Sequence, residues 1–103
     1  MAAHIFDIDG TLVKWHTNEW LPGAFEMLQA LSNRGDQIIL ITMRGPQDAN
    51  TAWSVERTKE TILAEMKAAN MNPTIIFGVQ SPRILHDDSE IRIDKRFTDQ
   101  TWL

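Results

Sequence analysis

A chain of 103 residues has room for one domain with one compact core and is too short for two. Its hydrophobic fraction of 43% and charged fraction of 23% are those of an ordinary globular protein, and the absence of cysteine excludes disulfides, thiolate metal sites and cysteine nucleophiles together. A net charge of −4 argues against a protein that coats nucleic acid through bulk electrostatics, while leaving room for one phosphate in a local basic or metal-lined pocket. No run of about 18 apolar residues occurs, so no membrane partner is expected. His4-Ile5-Phe6-Asp7 follows the first residues without a basic segment or a leader-like apolar stretch, which makes a cytoplasmic location the expectation.

In chain order, short apolar runs alternate with helical patterns. Ile5-Phe6-Asp7-Ile8 reads as a short strand ended by the turn signal Asp9-Gly10-Thr11. Leu12 to Leu21, with Trp15 and Trp20 among polar residues, reads as a loop or small hairpin. Pro22 suits the first turn of a helix; Ala24, Phe25, Met27, Leu28 and Leu31 follow at helical spacing, and Gly35 is a C-terminal stop. Gln37-Ile38-Ile39-Leu40-Ile41-Thr42 is apolar almost throughout, as a central parallel strand is when helices cover both of its faces.

Gly45-Pro46 breaks the chain, and a long helix is expected from near Thr51 to Ala69. Its inner face is Val55, Thr58, Ile62, Met66 and Ala69, and Asn70 with Asn72-Pro73 closes it. Thr74-Ile75-Ile76-Phe77, ended by Gly78, is a third strand. Arg83-Ile84-Leu85-His86 is a fourth and shorter one running into Asp87-Asp88, and Ile91-Arg92-Ile93 alternates like an edge strand. The pattern of Phe97 to Leu103 assigns no element. With no repeat or linker, residues 1–103 form one α/β domain, a mostly parallel sheet flanked by helices.

In such sheets ligands bind beyond the carboxyl ends of the strands. Asp7 and Asp9 follow the first strand, Thr42 ends the second and Asp87-Asp88 end the fourth, so four carboxylates and a hydroxyl are expected at one edge. Clustered carboxylates repel one another without a cation, and oxygen-only ligands favour a hard one such as magnesium, which commonly pairs one or two carboxylates with substrate phosphate. A carboxylate at Asp7 can attack phosphorus, and a second at Asp9, two residues on, can protonate the leaving alcohol and then activate water. The hydroxyl and amide of Thr42 can hold a phosphate oxygen, and Gly10 lets the chain turn sharply beneath the site.

Asp7-Ile8-Asp9-Gly10-Thr11-Leu12 resembles the first motif of the haloacid dehalogenase superfamily of phosphatases. The apolar run Ile38 to Thr42 is similar to its second motif and Asp87-Asp88 to its last, so the resemblance covers roughly Ile5 to Asp88. Short, capless members typified by capsule-biosynthesis phosphatases look closer still. They carry a stretch similar to Thr42-Met43-Arg44-Gly45, and a Phe-Gly pair before two aspartates at the spacing of Phe77-Gly78 and Asp87-Asp88.

The resemblance implies a Rossmann-like domain without a large cap. It makes Asp7 the nucleophile and Asp9 the acid/base, whose carbonyl also meets magnesium; Thr42, with Met43 and Arg44 beside it, binds the phosphoryl group, and Asp87, supported by Asp88, binds the metal. The lysine that directly follows the Phe-Gly pair in the closest group is replaced by Val79. Lys59, Arg83 or Arg44 could substitute, with Arg83 preferred.

The plainer alternatives are turn-forming aspartates at Asp7 and Asp9, an ordinary strand threonine at Thr42 and a solvated turn at Asp87-Asp88; the three motifs in order favour the functional reading. His86 is expected to pack at a strand end, and Trp15 and Trp20, overhanging the site, to close the small core rather than to stack on a base or sugar. Trp53 is expected to pack, and Arg44 stands between substrate contact and surface charge. The expected activity is magnesium-dependent hydrolysis of a small phosphomonoester. The alternatives are a nucleic-acid end phosphatase and, because of the missing lysine, a non-catalytic binding module. An open capless site also suits a homo-oligomer that lends a lid.

Overall fold

The computed structural model describes all 103 residues. Its sheet has three parallel strands in the order β1 (Ala3–Asp7), β2 (Gln37–Ile41), β3 (Thr74–Ile76). The register sets Asp7 beside Ile41 and Ile41 beside Ile76, so all three strands end at one edge. Between β1 and β2 runs α1 (Ala24–Asn33). Between β2 and β3 runs a longer helical stretch: α2 (Val55–Thr58), a π-helical turn (Lys59–Leu63) and α3 (Ala64–Ala68). No helix is long and apolar enough to cross a membrane.

Helix ends follow the local chemistry. Gly35 takes the left-handed φ of +87° that ends α1; its N–H donates to the Ser32 carbonyl and that of Asp36 to the Leu31 carbonyl, a Schellman closure. Asn70, at φ +61°, closes α3 in the same way, with the Met71 N–H on the Met66 carbonyl. Ser54 caps α2, its Oγ accepting from the Arg57 N–H at 3.1 Å. Pro22 lies two residues before the first helical residue instead of in the first turn, because Gly23, at φ +82°, caps α1 and the helix begins at Ala24. The expected long helix starts at Val55 instead of near Thr51. Its widened turn follows Thr58, whose hydroxyl donates to the Ser54 carbonyl, and Thr61 bonds back to Arg57 in the same way.

The core joins Phe6 and Ile8 to Ile38 and Leu40 and to Ala24, Leu28, Ile62, Met66 and Met71 from the helical segments. Burying each large side chain is worth about 1.5–3 kcal/mol. Both helical stretches therefore cover one face. Consecutive strand order with crossovers of one hand produces that result. The other face, expected to be covered, is open: Ile5 and Ile76 are about half exposed, at 53% and 50%, and Ile39 and Ile41 are half-buried.

The expected strands at Arg83–His86 and Ile91–Ile93 do not form. Residues 80–96 make no backbone–backbone hydrogen bond, and a strand needs a neighbour to pair with. Leu12–Leu21 is a small hairpin, with Leu21 N–H on the Leu12 carbonyl and Lys14 N–H on the Glu19 carbonyl. Phe97–Leu103 is a strap across it. Asp99 N–H donates to the Gly10 carbonyl, the Trp102 indole N–H to the Thr11 carbonyl at 2.7 Å, and the Trp102 ring meets Phe6 edge-on.

Candidate functional site

Asp7 is the last residue of β1. Like Ile5 it alternates away from Phe6 and Ile8, whose side chains enter the core, so its carboxylate stands at the strand ends on the open side. Oδ2 accepts from the Thr11 hydroxyl and Oδ1 from Arg83 Nη1, both at 3.3 Å, and the side chain stays 31% exposed. Burial raises the Asp7 carboxyl above its ordinary value of 3.8. The charge of Arg83 and the bonds from Thr11 and Arg83 oppose that rise, and the nearby charge of Asp9 adds to it.

Arg83 arrives here because the chain beyond β3 is pinned to the end of β2. Gly78, at φ +72°, donates to the Arg44 carbonyl, and the Val79 N–H donates to the Thr42 carbonyl at 2.8 Å. Of the three cations considered as the missing lysine's substitute, Arg83 is the one that contacts Asp7. Lys59 faces solvent and pairs with Glu56.

Arg44 is neither surface charge nor an open substrate contact. It is 2% exposed, and all three of its guanidinium nitrogens are bonded within the protein. Nε and Nη2 grip Asp9 Oδ2 and Oδ1 at 2.9 and 2.8 Å; Nη1 donates to Asn18 Oδ1 and Thr58 Oγ1 at 2.7 and 2.9 Å; Nη2 also reaches the Thr17 carbonyl. This bidentate pair ties the loop after β1 to the loop after β2, the hairpin and α2 in one place. Asp9 Oδ1 also accepts the His16 N–H at 3.1 Å. Both Asp9 oxygens are thus engaged in the carboxylate expected to move protons. Asn18 and Thr58 escaped the sequence reading; only the helical position of Thr58, on the inner face, hinted that it points inward.

Thr42 is fully buried, and its amide is already used. Its N–H donates to the Ile76 carbonyl, and its hydroxyl accepts from the Arg44 N–H at 3.0 Å. Met43 is 48% exposed and its carbonyl accepts from Gln47. Gly10 makes the expected sharp turn at φ +78°. A methyl group there would approach Thr98 Cγ2 to 3.1 Å and Trp15 Cε3 to 3.5 Å.

The convergence of four carboxylates is not observed. Asp87 and Asp88 lie on exposed chain without regular structure, Asp87 accepting only the Ser89 N–H, and no three His, Asp or Glu side chains form a group able to hold a metal ion. The physical reason is the missing fourth strand: without ladder bonds nothing carries these residues to the edge where Asp7 sits. His86 is likewise exposed instead of packed. Trp20 packs edge-on against Phe25 beside the core, whereas Trp15 is 54% exposed and closes nothing.

Asp36, just before β2, forms a second charged cluster at the opposite end of the strands from Asp7. It accepts from the Ala2 N–H, from Arg34 through Nε and Nη2, and meets His4 Nε2 at 3.1 Å. The Arg34 bonds foremost, then the Ala2 amide, hold its carboxyl down at about 2.

In comparisons with known proteins, no family model, no curated protein and no solved structure matches the chain.

Proposed function

We propose that the protein is a phosphatase that hydrolyses a small phosphomonoester, with the Asp7 carboxylate as nucleophile. One observation carries the reading: a partly accessible carboxylate, raised by burial, stands at the carboxyl edge of a parallel sheet with the Arg83 guanidinium against it. Asp7 attacks phosphorus, the ester P–O bond breaks, and water later cleaves the aspartyl-phosphate. Arg83 balances the charge of the phosphoryl oxygens, and the Thr11 hydroxyl orients the nucleophile.

Magnesium remains part of this proposal in a limited form. The residues present do not make a preformed cation cage. Magnesium is nonetheless held in many sites by one carboxylate and substrate phosphate, so Asp7 is the residue that would hold it, supplying charge neutralisation at the phosphoryl group. For Asp9 to donate a proton, one arm of its Arg44 contact must open.

A non-catalytic phosphate-binding module is the second reading, favoured by the engagement of Asp9 and the separation of Asp87 and Asp88 from Asp7. Hydrolysis of p-nitrophenyl phosphate separates the two. Turnover that needs magnesium, stops with EDTA and falls roughly ten-thousandfold or more in Asp7→Asn supports the phosphatase. Phosphate binding without turnover supports the module, and turnover that survives in Asp7→Asn removes Asp7 as nucleophile.

A further inference from the structure

Three aromatic rings form a column beside Asp9. His16 stacks on Trp15 with centroids 4.8 Å apart and 25° between planes, and on Trp53 at 4.3 Å and 10°, so the imidazole lies between the two indoles. Packing does not account for it: Trp15 is 54% exposed, His16 is exposed, and neither joins the core or the apolar side chains around it. Carboxylates nevertheless hold the chain that carries the column: the Trp15 backbone N–H donates to Asp99 Oδ1 at 3.0 Å and the His16 backbone N–H to Asp9 Oδ1 at 3.1 Å, while at the third ring the indole Nε1 of Trp53 donates to Asp48 Oδ1 at 3.2 Å. His16 takes its left-handed φ of +55° as the third residue of the turn that the Thr17 N–H closes on the Lys14 carbonyl at 3.0 Å.

Two links join the column to the loop that directly follows Asp7. Asp9 holds His16 through one oxygen and Arg44 through both, and Trp15 lies against Gly10, the residue after Asp9. A flat, water-exposed indole at the end of a rigid stack is a surface on which another flat ring lies, since every nucleobase offers a π-face.

We propose that this column is the base-stacking half of the site, and that the substrate is a nucleoside monophosphate whose base lies on Trp15. A single nucleotide fits better than a strand, because a net charge of −4 supplies no track for a run of phosphates. The stacking itself stands on the ring geometry; that the nucleotide is hydrolysed rests on the phosphatase reading above.

The test titrates the full chain with adenosine, which has a base and no phosphate, and with ribose 5-phosphate, which has a phosphate and no base, using wild type, Trp15→Ala, Trp15→Leu and Trp15→Phe. Phosphate release from ribose 5-phosphate with magnesium is followed separately. Adenosine is expected to bind wild type and Trp15→Phe, and to bind Trp15→Ala roughly 5- to 150-fold more weakly. Trp15→Leu keeps apolar bulk without an aromatic face and must behave as Trp15→Ala does. Ribose 5-phosphate is expected to bind all four proteins alike.

Absence of adenosine binding to wild type, or equal binding to Trp15→Ala, overturns the stacking proposal, and phosphate release from ribose 5-phosphate in that case leaves the phosphatase standing. Trp15-dependent adenosine binding with no phosphate release from adenosine 5′-monophosphate, ribose 5-phosphate or p-nitrophenyl phosphate upholds the stacking and removes the phosphatase.

Discussion

Asp7 and Asp36 are carboxylates at opposite ends of the sheet, and the fold treats them in opposite ways. Asp36 is held at about 2 against 3.8 for the free group, so the folded state favours its ionised form. That contribution is complete above about pH 4 and is lost as pH falls towards 2. Asp7 is raised, so the folded state favours its protonated form; its contribution is complete below 3.8 and is lost as pH rises through the folded value. Thermal midpoints measured across pH are therefore expected to move in opposite directions at neutrality, upward for Asp7→Asn and downward for Asp36→Asn. A fall in Asp7→Asn would show that its bonds to Thr11 and Arg83 outweigh the burial that raises it. Arg44 presents a sharper case, with its side chain 1% exposed and its Asp9 partner 12% exposed. Arg44→Ala leaves that carboxylate unpaired and is expected to cost about 3–5 kcal/mol in chemical denaturation. The double variant Asp9→Asn/Arg44→Met should recover part of the loss, because no charge then stays behind.

Among the elements, the helical stretch from Val55 to Ala68 has the most to do with the site. Thr58 reaches Arg44 only because it lies on the inner face of α2, and Ser54 both caps that helix and accepts, through its carbonyl, the Thr58 hydroxyl. Ser54→Ala removes the cap and is expected to cost about 1 kcal/mol, a fall in Tm of roughly 4–8 °C for a domain of this size. A fall much smaller than that would mean that packing of Ile62 and Met66 holds the helix without its cap. The hairpin Leu12–Leu21 serves in a comparable way: Asn18 and the Thr17 carbonyl meet Arg44 from one side, while Trp15 and His16 face outward. Its position is kept by the strap, through the bonds from Asp99 to Gly10 and Trp102 to Thr11.

For the molecule as a whole, protection is unevenly shared. β2 is central, bonded on both sides, while residues 80–96 have no backbone partner and carry exposed Ile84, Leu85, Ile91 and Ile93. Amide hydrogen exchange is expected to be slowest in Ile38–Ile41 and close to that of a free chain across residues 80–96. Strong protection at Arg83–His86 would mean that the segment pairs with the sheet in solution, in which case Asp87 and Asp88 would need to be placed afresh. The open face carrying Ile5 and Ile76 follows from the same topology, since three strands in consecutive order place both helical crossovers on one side.

Local chemistry by itself determined the three strands, the two helical regions, the turn at Gly10 and the helix ends at Gly35 and Asn70, because each depends on periodicity or on a single backbone conformation written into nearby residues. Strand order placed Asp7 at the carboxyl edge, while Arg83 came into view only as one of three substitutes, with Lys59 and Arg44, for the lysine that the resemblance lacks at Val79; its contact with Asp7 is a tertiary one. The sequence misjudged whatever needed a partner distant in the chain. Apolar runs at Arg83–His86 and Ile91–Ile93 look like strands, yet a strand exists only where a neighbour accepts its hydrogen bonds, and none does. The burial of Arg44 against Asp9, Asn18 and Thr58, and the stack of Trp15, His16 and Trp53, join segments 14 or more residues apart. Only the tertiary structure decided them, because burial and stacking are properties of where chain segments meet, which no local pattern records.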